Sequence, residues 1–383
     1  MVEKKVGSIR YNLRKVTLPL ISVVIFLEGV ICLLLLQIFT LMITPTNPQR
    51  RQHLLDYTKR LFIVILATIL AIVAPSGVRI TRDKKTITEG TVYKDVKKGR
   101  ICSILQNHSI SICNHQIYTD WIFLWWLAYT SNLGGNVYIM LKKSLENIPL
   151  LGFGMKNFDF IFMSRKWIND KLTLERQLGA LNEKSTRLDN PNEQDLKKVH
   201  DEPYNLILFP EGTVLSPTTR SKSLSYGQKI GREPFSTVLL PHETGLRFSL
   251  QNLQSTLDIL YDVTIGYSGV RQDEYGENVY GLKSIFLEGH YPKMVDIHIR
   301  AFNIEDIPFH DETKFSKWLY KVWEEKNKLL NDYYKQGSFD LDPTNTDSVT
   351  DSFKISSYEF FGVLICPILT LILLVKFIAG FIY

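Results

Sequence analysis

The sequence predicts an α/β fold with a largely buried sheet, bracketed by apolar helices towards both ends. Three observations carry this. From about residue 80 to 340, short β-rich runs alternate with helical patterns, as in chains whose helices cover the faces of a sheet. Long apolar runs flank that body on both sides. Two of its β-rich runs end in short polar segments, and strand ends are where open α/β sheets hold their sites.

The first apolar run, 18–43, has 26 residues and a single charge, Glu28. About 20 residues cross a bilayer, so it is long enough to span one, and too long for a cleaved signal peptide. Glu28 is costly in lipid and must face protein or the interface. A second run, 61–74, is short for a span and reads as re-entrant or interfacial; the stretch 45–60 before it reads as polar and turn-rich. Lys and Arg flank both runs, so charge bias sets no orientation. The body then shows strands over 101–105, 109–113, 137–141, 160–163, 206–209, 238–240, 262–267 and 295–302, and helices over 120–130, 170–183 and 312–336. Residues 184–202 are charged and read as an exposed loop or frayed helix. Residues 336–353, rich in Asp, Ser, Thr and Asn, read as a linker. Beyond them, 361–375 is apolar and reads as a third membrane segment or an interfacial hairpin. The chain therefore divides into a two-helix anchoring region (1–78), the α/β body (79–340), and a linker with a C-terminal membrane segment (341–383).

Net charge is +6, but residues 1–100 carry 17 Lys and Arg against 6 Asp and Glu, while the rest is acidic on balance. A basic entry segment among apolar runs fits an anionic bilayer surface and not a nucleic acid. The four cysteines form no Cys-x-x-Cys pair, which disfavours a disulfide framework or a zinc site. Cys113 closes a strand-like run, and burial rather than nucleophilic chemistry accounts for it.

Residues 114–120 read Asn-His-Gln-Ile-Tyr-Thr-Asp. Five residues apart, His115 and Asp120 would sit about 140° apart within one helix. They meet if His115 lies in a loop and Asp120 in the first helical turn. Asp120 would then fix the imidazole tautomer and stabilise the imidazolium, leaving His115 to take a proton from an alcohol. The spacing carries little by itself. Residues 209–213, Phe-Pro-Glu-Gly-Thr, carry more: Pro210 stops a strand, Gly212 admits close approach, and Glu211 and Thr213 project from the strand end. Downstream, Thr218, Thr219, Arg220, Ser221 and Lys222 form a hydroxyl and cation cluster able to reach a phosphate. Lys142, Lys143, Arg165 and Lys166 sit at other strand ends, either as solvated charges or facing a common cleft.

In combination, these blocks resemble the glycerophospholipid acyltransferase family of lysophosphatidic acid acyltransferase type. The segment from Phe160 to Arg165 resembles the block ending in a phosphate-binding arginine, and Leu239-Leu-Pro241 the last block, built around a proline. Leu141-Lys-Lys-Ser-Leu145, Ser164-Arg-Lys-Trp167 and Leu215-Ser-Pro-Thr-Thr-Arg220 are similar to the fungal lysophosphatidylinositol acyltransferase branch, related to animal lysocardiolipin and lysophosphatidylinositol acyltransferases. One departure is His242-Glu243 after Pro241, where many relatives carry an arginine.

The resemblance implies a glycerol-phosphate-acyltransferase-like mixed sheet with flanking helices. It implies His115 as general base and Asp120 as its orienter. Glu211, Gly212, Thr213 and Arg165, with Pro241, would hold the glycerol phosphate, and Lys142 or backbone amides the oxyanion. Acyl-CoA would be a co-substrate; no tightly bound cofactor, no metal and no covalent acyl-enzyme are called for. The partners implied are acyl-CoA, a lysophospholipid and the bilayer. The place implied is the cytosolic face of the endoplasmic reticulum membrane, with the lipid droplet surface as a second candidate. Three other readings stay open: a lysophosphatidic acid acyltransferase making phosphatidic acid, a hydrolase using the same pair on water, and a non-catalytic membrane scaffold. Headgroup and glycerol position are not legible in these motifs.

Overall fold

The computed structural model describes residues 2–164, 166–186 and 201–382; Arg165 and most of the predicted charged loop lie outside the described residues. Helix α1 (Val2–Ile43) is followed by α2 (Pro48–Val73), which starts at an Asn47 cap whose side chain accepts from the Arg50 N–H. The elements then run β1 (Gly77–Asp83), β2 (Val92–Asp95), β3 (Arg100–Ser103), β4 (His108–Cys113), α3 (Asp120–Thr130), β5 (Val137–Lys142), α4 (Leu151–Asn157), β6 (Ile161–Met163) and α5 (Trp167–Lys184). They continue with β7 (Tyr204–Leu208), α6 (Pro217–Ile230), α7 (Glu243–Leu253), β8 (Ile259–Tyr267), the short α8 (Gly276–Val279) and α9 (Leu282–Phe286), β9 (Met294–Asn303), α10 (Glu312–Gln336), β10 (Thr346–Ser352) and α11 (Ser357–Ile382).

Eight strands form one mixed sheet in the order β10-β1-β9-β8-β4-β7-β5-β6, and β2 pairs with β3 in a separate hairpin. Strands β8, β4, β7, β5 and β6 run parallel to one another, so their carboxyl ends share one edge. Strands β4 and β7 are buried along their whole length, as expected for parallel strands covered on both faces. Helices α5, α7 and α10 cover one face, through Leu174, Leu178, Leu250, Phe315 and Trp323 among others. The other face is covered by α3 and, beyond it, by α1 and α2, whose buried residues belong to the same core.

Several expectations are corrected. Residues 238–240 form no strand: the N–H groups of Leu239 and Leu240 donate to the side chains of Glu211 and Ser223, not to a ladder. The predicted linker contains the end of α10 and the edge strand β10, which pairs antiparallel with β1. Its alternating Asp, Ser and Thr suit a sheet edge in contact with solvent, so polarity misled the reading. The stretch 45–60 is mostly helix, because it forms the first half of α2, and the apolar run after it is enclosed by protein: Phe62 to Leu70 are all buried. The hydroxyl and cation cluster of residues 218–222 lies in the first half of helix α6, which is capped by Ser216 and Thr219.

Thr17–Ile43 of α1 is long and apolar enough to cross a membrane, while Ser357–Leu373 of α11 is apolar but shorter. Leu20, Val23, Leu27, Ile31, Leu35, Ile38 and Met42 make an exposed stripe along α1, and its opposite side packs on α2. Gly29 permits the closest approach, since a Cβ there would lie 2.8 Å from Ile65. Glu28 turns one carboxylate oxygen into the protein interior. Helix α11 is one continuous helix through Pro367, not a hairpin. Its Glu359 pairs with Arg60 of α2 and accepts from the Tyr129 hydroxyl of α3, which ties the C-terminal helix to the other two.

Candidate active site

The carboxyl ends of the parallel strands converge on His115. Strand β4 ends at Cys113, and Asn114 then mimics a strand residue: its amide donates to the Ile265 carbonyl and accepts from the Ile265 N–H, at 3.0 and 2.9 Å. That clamp fixes where the loop leaves the sheet. Six residues after Asn114, α3 begins with Asp120, whose carboxylate is favoured at a helix N-terminus.

The two residues meet, with His115 in the loop and Asp120 in the first helical turn. His115 Nδ1 lies 2.8 Å from Asp120 Oδ2, with Asp120 fully buried. The same oxygen accepts from the N–H groups of Gln116 at 2.6 Å and Ile117 at 3.1 Å, and Oδ1 accepts from the Tyr267 hydroxyl. Four donors on one buried carboxylate orient it fully. With Nδ1 committed to Asp120, Nε2 is the nitrogen left to meet a substrate. The imidazole stacks on Phe209, with ring centres 4.3 Å apart.

Residues 209–215 hold His115 from the other side. The His115 N–H donates to Glu211 Oε1 at 3.2 Å, and its carbonyl accepts from the Leu215 N–H at 2.8 Å. Glu211 Oε2 accepts from the Leu239 N–H at 3.0 Å. Glu211 is thus turned inwards and braces two backbone segments, which gives it a positioning task. Burial pushes its carboxyl up to about 8, opposed by the two N–H donors and by Lys326, and reinforced by Asp120. Gly212 carries the turn at φ 70°, a left-handed conformation that favours glycine, and its N–H closes on the Phe209 carbonyl at 2.8 Å.

His115 lines a cleft of about 500 Å³ with Tyr118, Trp121, Leu141, Lys142, Leu145, Leu208, Phe209, Gly212 and Thr213 on its walls. It is mostly apolar, with Lys142 at the exposed end of β5. A second chamber of about 500 Å³ adjoins it across Gly212, Thr213, Met163, His242 and Gly245. Pro241 is buried behind this wall, between Leu240 and His242, which do line it. Arg165 lies outside the described residues. Of the downstream cluster, Thr219 and Lys222 reach the second chamber; the Arg220 guanidinium donates to the Ser236 carbonyl and the Ser221 hydroxyl to the Pro217 carbonyl.

Two contributors escaped sequence reasoning. Tyr267, at the end of β8, holds the far oxygen of Asp120, and burial together with that carboxylate pushes its hydroxyl well above the usual phenol range. Gln116 spans from the Thr237 carbonyl to the Tyr334 hydroxyl and pins the loop between them. Its place between His115 and Asp120 was the one available hint. Cys113 is buried and its thiol is driven upwards by desolvation, which removes it as a nucleophile.

The arrangement offers one oriented base at the junction of an apolar cleft and a more polar one. Similarity to known proteins agrees. The pattern of the Acyltransferase family matches residues 91–268, and that of the Acyltransferase C-terminus matches residues 285–359. The chain is 56% identical to the 2-acyl-1-lysophosphatidylinositol acyltransferase of Saccharomyces cerevisiae, over 98% of this chain and 99% of that protein. It is 32% identical to the probable 1-acyl-sn-glycerol-3-phosphate acyltransferase 5 of Arabidopsis thaliana, over 66% of this chain and 60% of the other. It is also 32% identical to lysocardiolipin acyltransferase 1 of Gallus gallus, over 60% and 54% respectively. With a buried-carboxylate-oriented histidine at the strand ends and a relative matched along nearly its full length, the chain belongs to the acyltransferase family.

Proposed function

We propose that this protein transfers a fatty acyl group from acyl-CoA to the free glycerol hydroxyl of a lysophospholipid, with 2-acyl-1-lysophosphatidylinositol as acceptor. The observation that carries the chemistry is the 2.8 Å contact between His115 and the buried Asp120 beside an apolar cleft. The acceptor follows the name of the yeast relative, 56% identical along its length. Nε2 of His115 takes the proton of the acceptor hydroxyl as its oxygen attacks the thioester carbonyl. Asp120 stabilises the imidazolium that forms. Lys142, on the wall of the same cleft, would stabilise the oxyanion of the tetrahedral intermediate together with backbone N–H groups. The intermediate collapses with cleavage of the C–S bond, the ester is complete, and the imidazolium proton goes to the thiolate, so CoA leaves as a thiol. Every atom is accounted for without a covalent acyl-enzyme.

The exposed apolar stripe of α1 fits a protein held in a bilayer, where a lysolipid keeps its chain in the membrane while its glycerol reaches His115. The supply of acyl-CoA favours the cytosolic face of the endoplasmic reticulum.

Membranes containing the protein are to be incubated with labelled acyl-CoA and a panel of lysolipids, for wild type and His115→Ala. Labelled phosphatidylinositol is expected from the wild type and not from the variant. Transfer that survives the substitution would remove His115 as base. Thioester loss without new phospholipid would indicate hydrolysis, and a preference for lysophosphatidate would assign the alternative acceptor.

A further inference from the structure

We propose that the chamber across the Gly212 turn is the acceptor-headgroup site, where Lys222 meets the phosphodiester and the Tyr226 hydroxyl binds a polyol ring. The proposal rests on the reading of the protein as a lysophospholipid acyltransferase and adds which surface selects the headgroup.

The chamber is walled by Trp167 and Asp170 of α5, by the 211–213 turn, by Thr219, Lys222, Ser223 and Tyr226 along one face of α6, and by Leu239, Leu240, His242, Thr244 and Gly245. Its volume, about 500 Å³, lies in the range of small-molecule sites. It is continuous with the His115 cleft at Gly212 and Thr213. An acceptor whose glycerol hydroxyl reaches His115 therefore has two directions to fill: an apolar one for acyl chains and this one for the headgroup.

The polar groups of the chamber fall into two sets. The first is already engaged. Asp170 accepts from the N–H groups of Ser164 and Lys166 through its two oxygens, at 2.8 and 3.1 Å. Both Glu211 oxygens accept backbone N–H groups, Ser223 Oγ accepts from the Leu240 N–H at 3.0 Å, and Thr219 closes the cap of α6. The second set makes no hydrogen bond or ion pair among the described residues: the Lys222 ammonium and the hydroxyls of Thr213, Tyr226 and Thr244, of which Tyr226 lies near the Glu243 carboxylate. The Tyr226 ring packs against the His242 imidazole at 4.8 Å between centres, so its hydroxyl stands on a supported wall.

This second set is one cation with three hydroxyls, and both carboxylates of the chamber are occupied by N–H donors. A phosphodiester matches the cation, and a ring bearing several hydroxyls matches the hydroxyls, each able to donate and accept. A quaternary ammonium headgroup would meet Lys222 with the same sign of charge, while the lining carboxylates of Asp170 and Glu211 already accept N–H donors and Glu243, close to Tyr226, accepts from Ser316. A bare phosphate monoester would satisfy the cation and leave Tyr226 and Thr244 unmatched.

Steady-state kinetics of the full chain in membranes, with lysophosphatidylinositol and with lysophosphatidate, test this. For Lys222→Gln, losing a charge-assisted bond is expected to raise KM for lysophosphatidylinositol about tenfold, with the effect in KM and not in kcat. For Tyr226→Phe, the ratio of kcat/KM for lysophosphatidylinositol over lysophosphatidate is expected to fall about fivefold, since only the former carries the ring. A purely structural role for Tyr226 would lower both acceptors together, and that result would overturn the proposal. So would an unchanged KM in Lys222→Gln with wild type active on lysophosphatidylinositol. A wild type that transfers no acyl group to any lysolipid would instead remove the functional reading on which the site rests, and the two failures are distinct.

Discussion

Asp120→Asn isolates the charge of the pair from its geometry. Asp120 Oδ2 accepts from His115 Nδ1, Gln116 N–H and Ile117 N–H, and Oδ1 accepts from the Tyr267 hydroxyl. An asparagine can place its carbonyl oxygen where Oδ2 stands and keep three of these bonds. Its amide nitrogen then replaces Oδ1 and donates to the Tyr267 oxygen. The opposite rotamer would set an NH2 against three donors and is excluded. Fold, loop and imidazole tautomer are therefore preserved, and what disappears is a negative charge about 4 Å from the centre of the imidazolium. At an effective dielectric of about 20, that interaction is worth about 4 kcal/mol. The His115 side chain is 16% exposed, and screening lowers the figure to about 3 kcal/mol, which corresponds to a fall in kcat of about 100- to 1,000-fold. The assay is acyl transfer at saturating acyl-CoA and varied lysophosphatidylinositol, beside thermal unfolding of the purified protein. The expected outcome is a loss in kcat with KM and unfolding temperature close to wild type. A kcat within threefold of wild type would show that Asp120 only shapes the loop, and the proton-transfer argument would fail.

Tyr267→Phe should leave one oxygen of the fully buried Asp120 without a donor, costing about 1–3 kcal/mol of stability and lowering kcat; paired unfolding and turnover measurements check both. Glu211→Gln offers one acceptor to two N–H donors, those of His115 and Leu239, and should lower kcat and stability together. In the wild type, burial raises the Glu211 carboxyl from 4.5 to about 8, so folding takes up a proton. Its contribution to stability is present below pH 4.5 and is lost as pH rises towards 8, with a slope of at most about 1.4 kcal/mol per pH unit. Unfolding temperatures from pH 5 to 9 should show that slope in the wild type and lack it in Glu211→Gln; equal slopes would refute the assignment. Lys326→Met removes a fully buried ammonium that pairs with Asp262 at 2.7 Å and donates to the Val263 carbonyl. Asp262 keeps only Arg300, and a loss of about 3–5 kcal/mol is expected in chemical denaturation, with partial recovery in Lys326→Met combined with Asp262→Asn.

Legibility differed between elements for physical reasons. Buried parallel strands such as β4 and β7 announce themselves as apolar runs, and α10 by its amphipathic period, so the sheet and its strand-end site were readable. Strand β10 was not, because an edge strand has no second neighbour and tolerates Asp and Ser at most positions. Helix α6 was hidden because its face towards the second chamber is polar, and only the Ser216 cap followed by Pro217 marked its start. The enclosure of α2 could not be read, since an apolar run looks the same against lipid as against α1 and α3.

The sequence by itself determined the α/β class and the long apolar α1, and it allowed His115 to meet Asp120 only on the condition that the first lay in a loop and the second in the first helical turn. The tertiary structure decided what lies between distant segments. It turned Glu211 inwards onto the N–H groups of His115 and Leu239, brought Tyr267 onto Asp120 across 147 residues, and set Lys222 and Tyr226 around a chamber beside the base. Local periodicity carries no information about such contacts: each depends on the order in which β8, β4 and β7 lie side by side in the sheet.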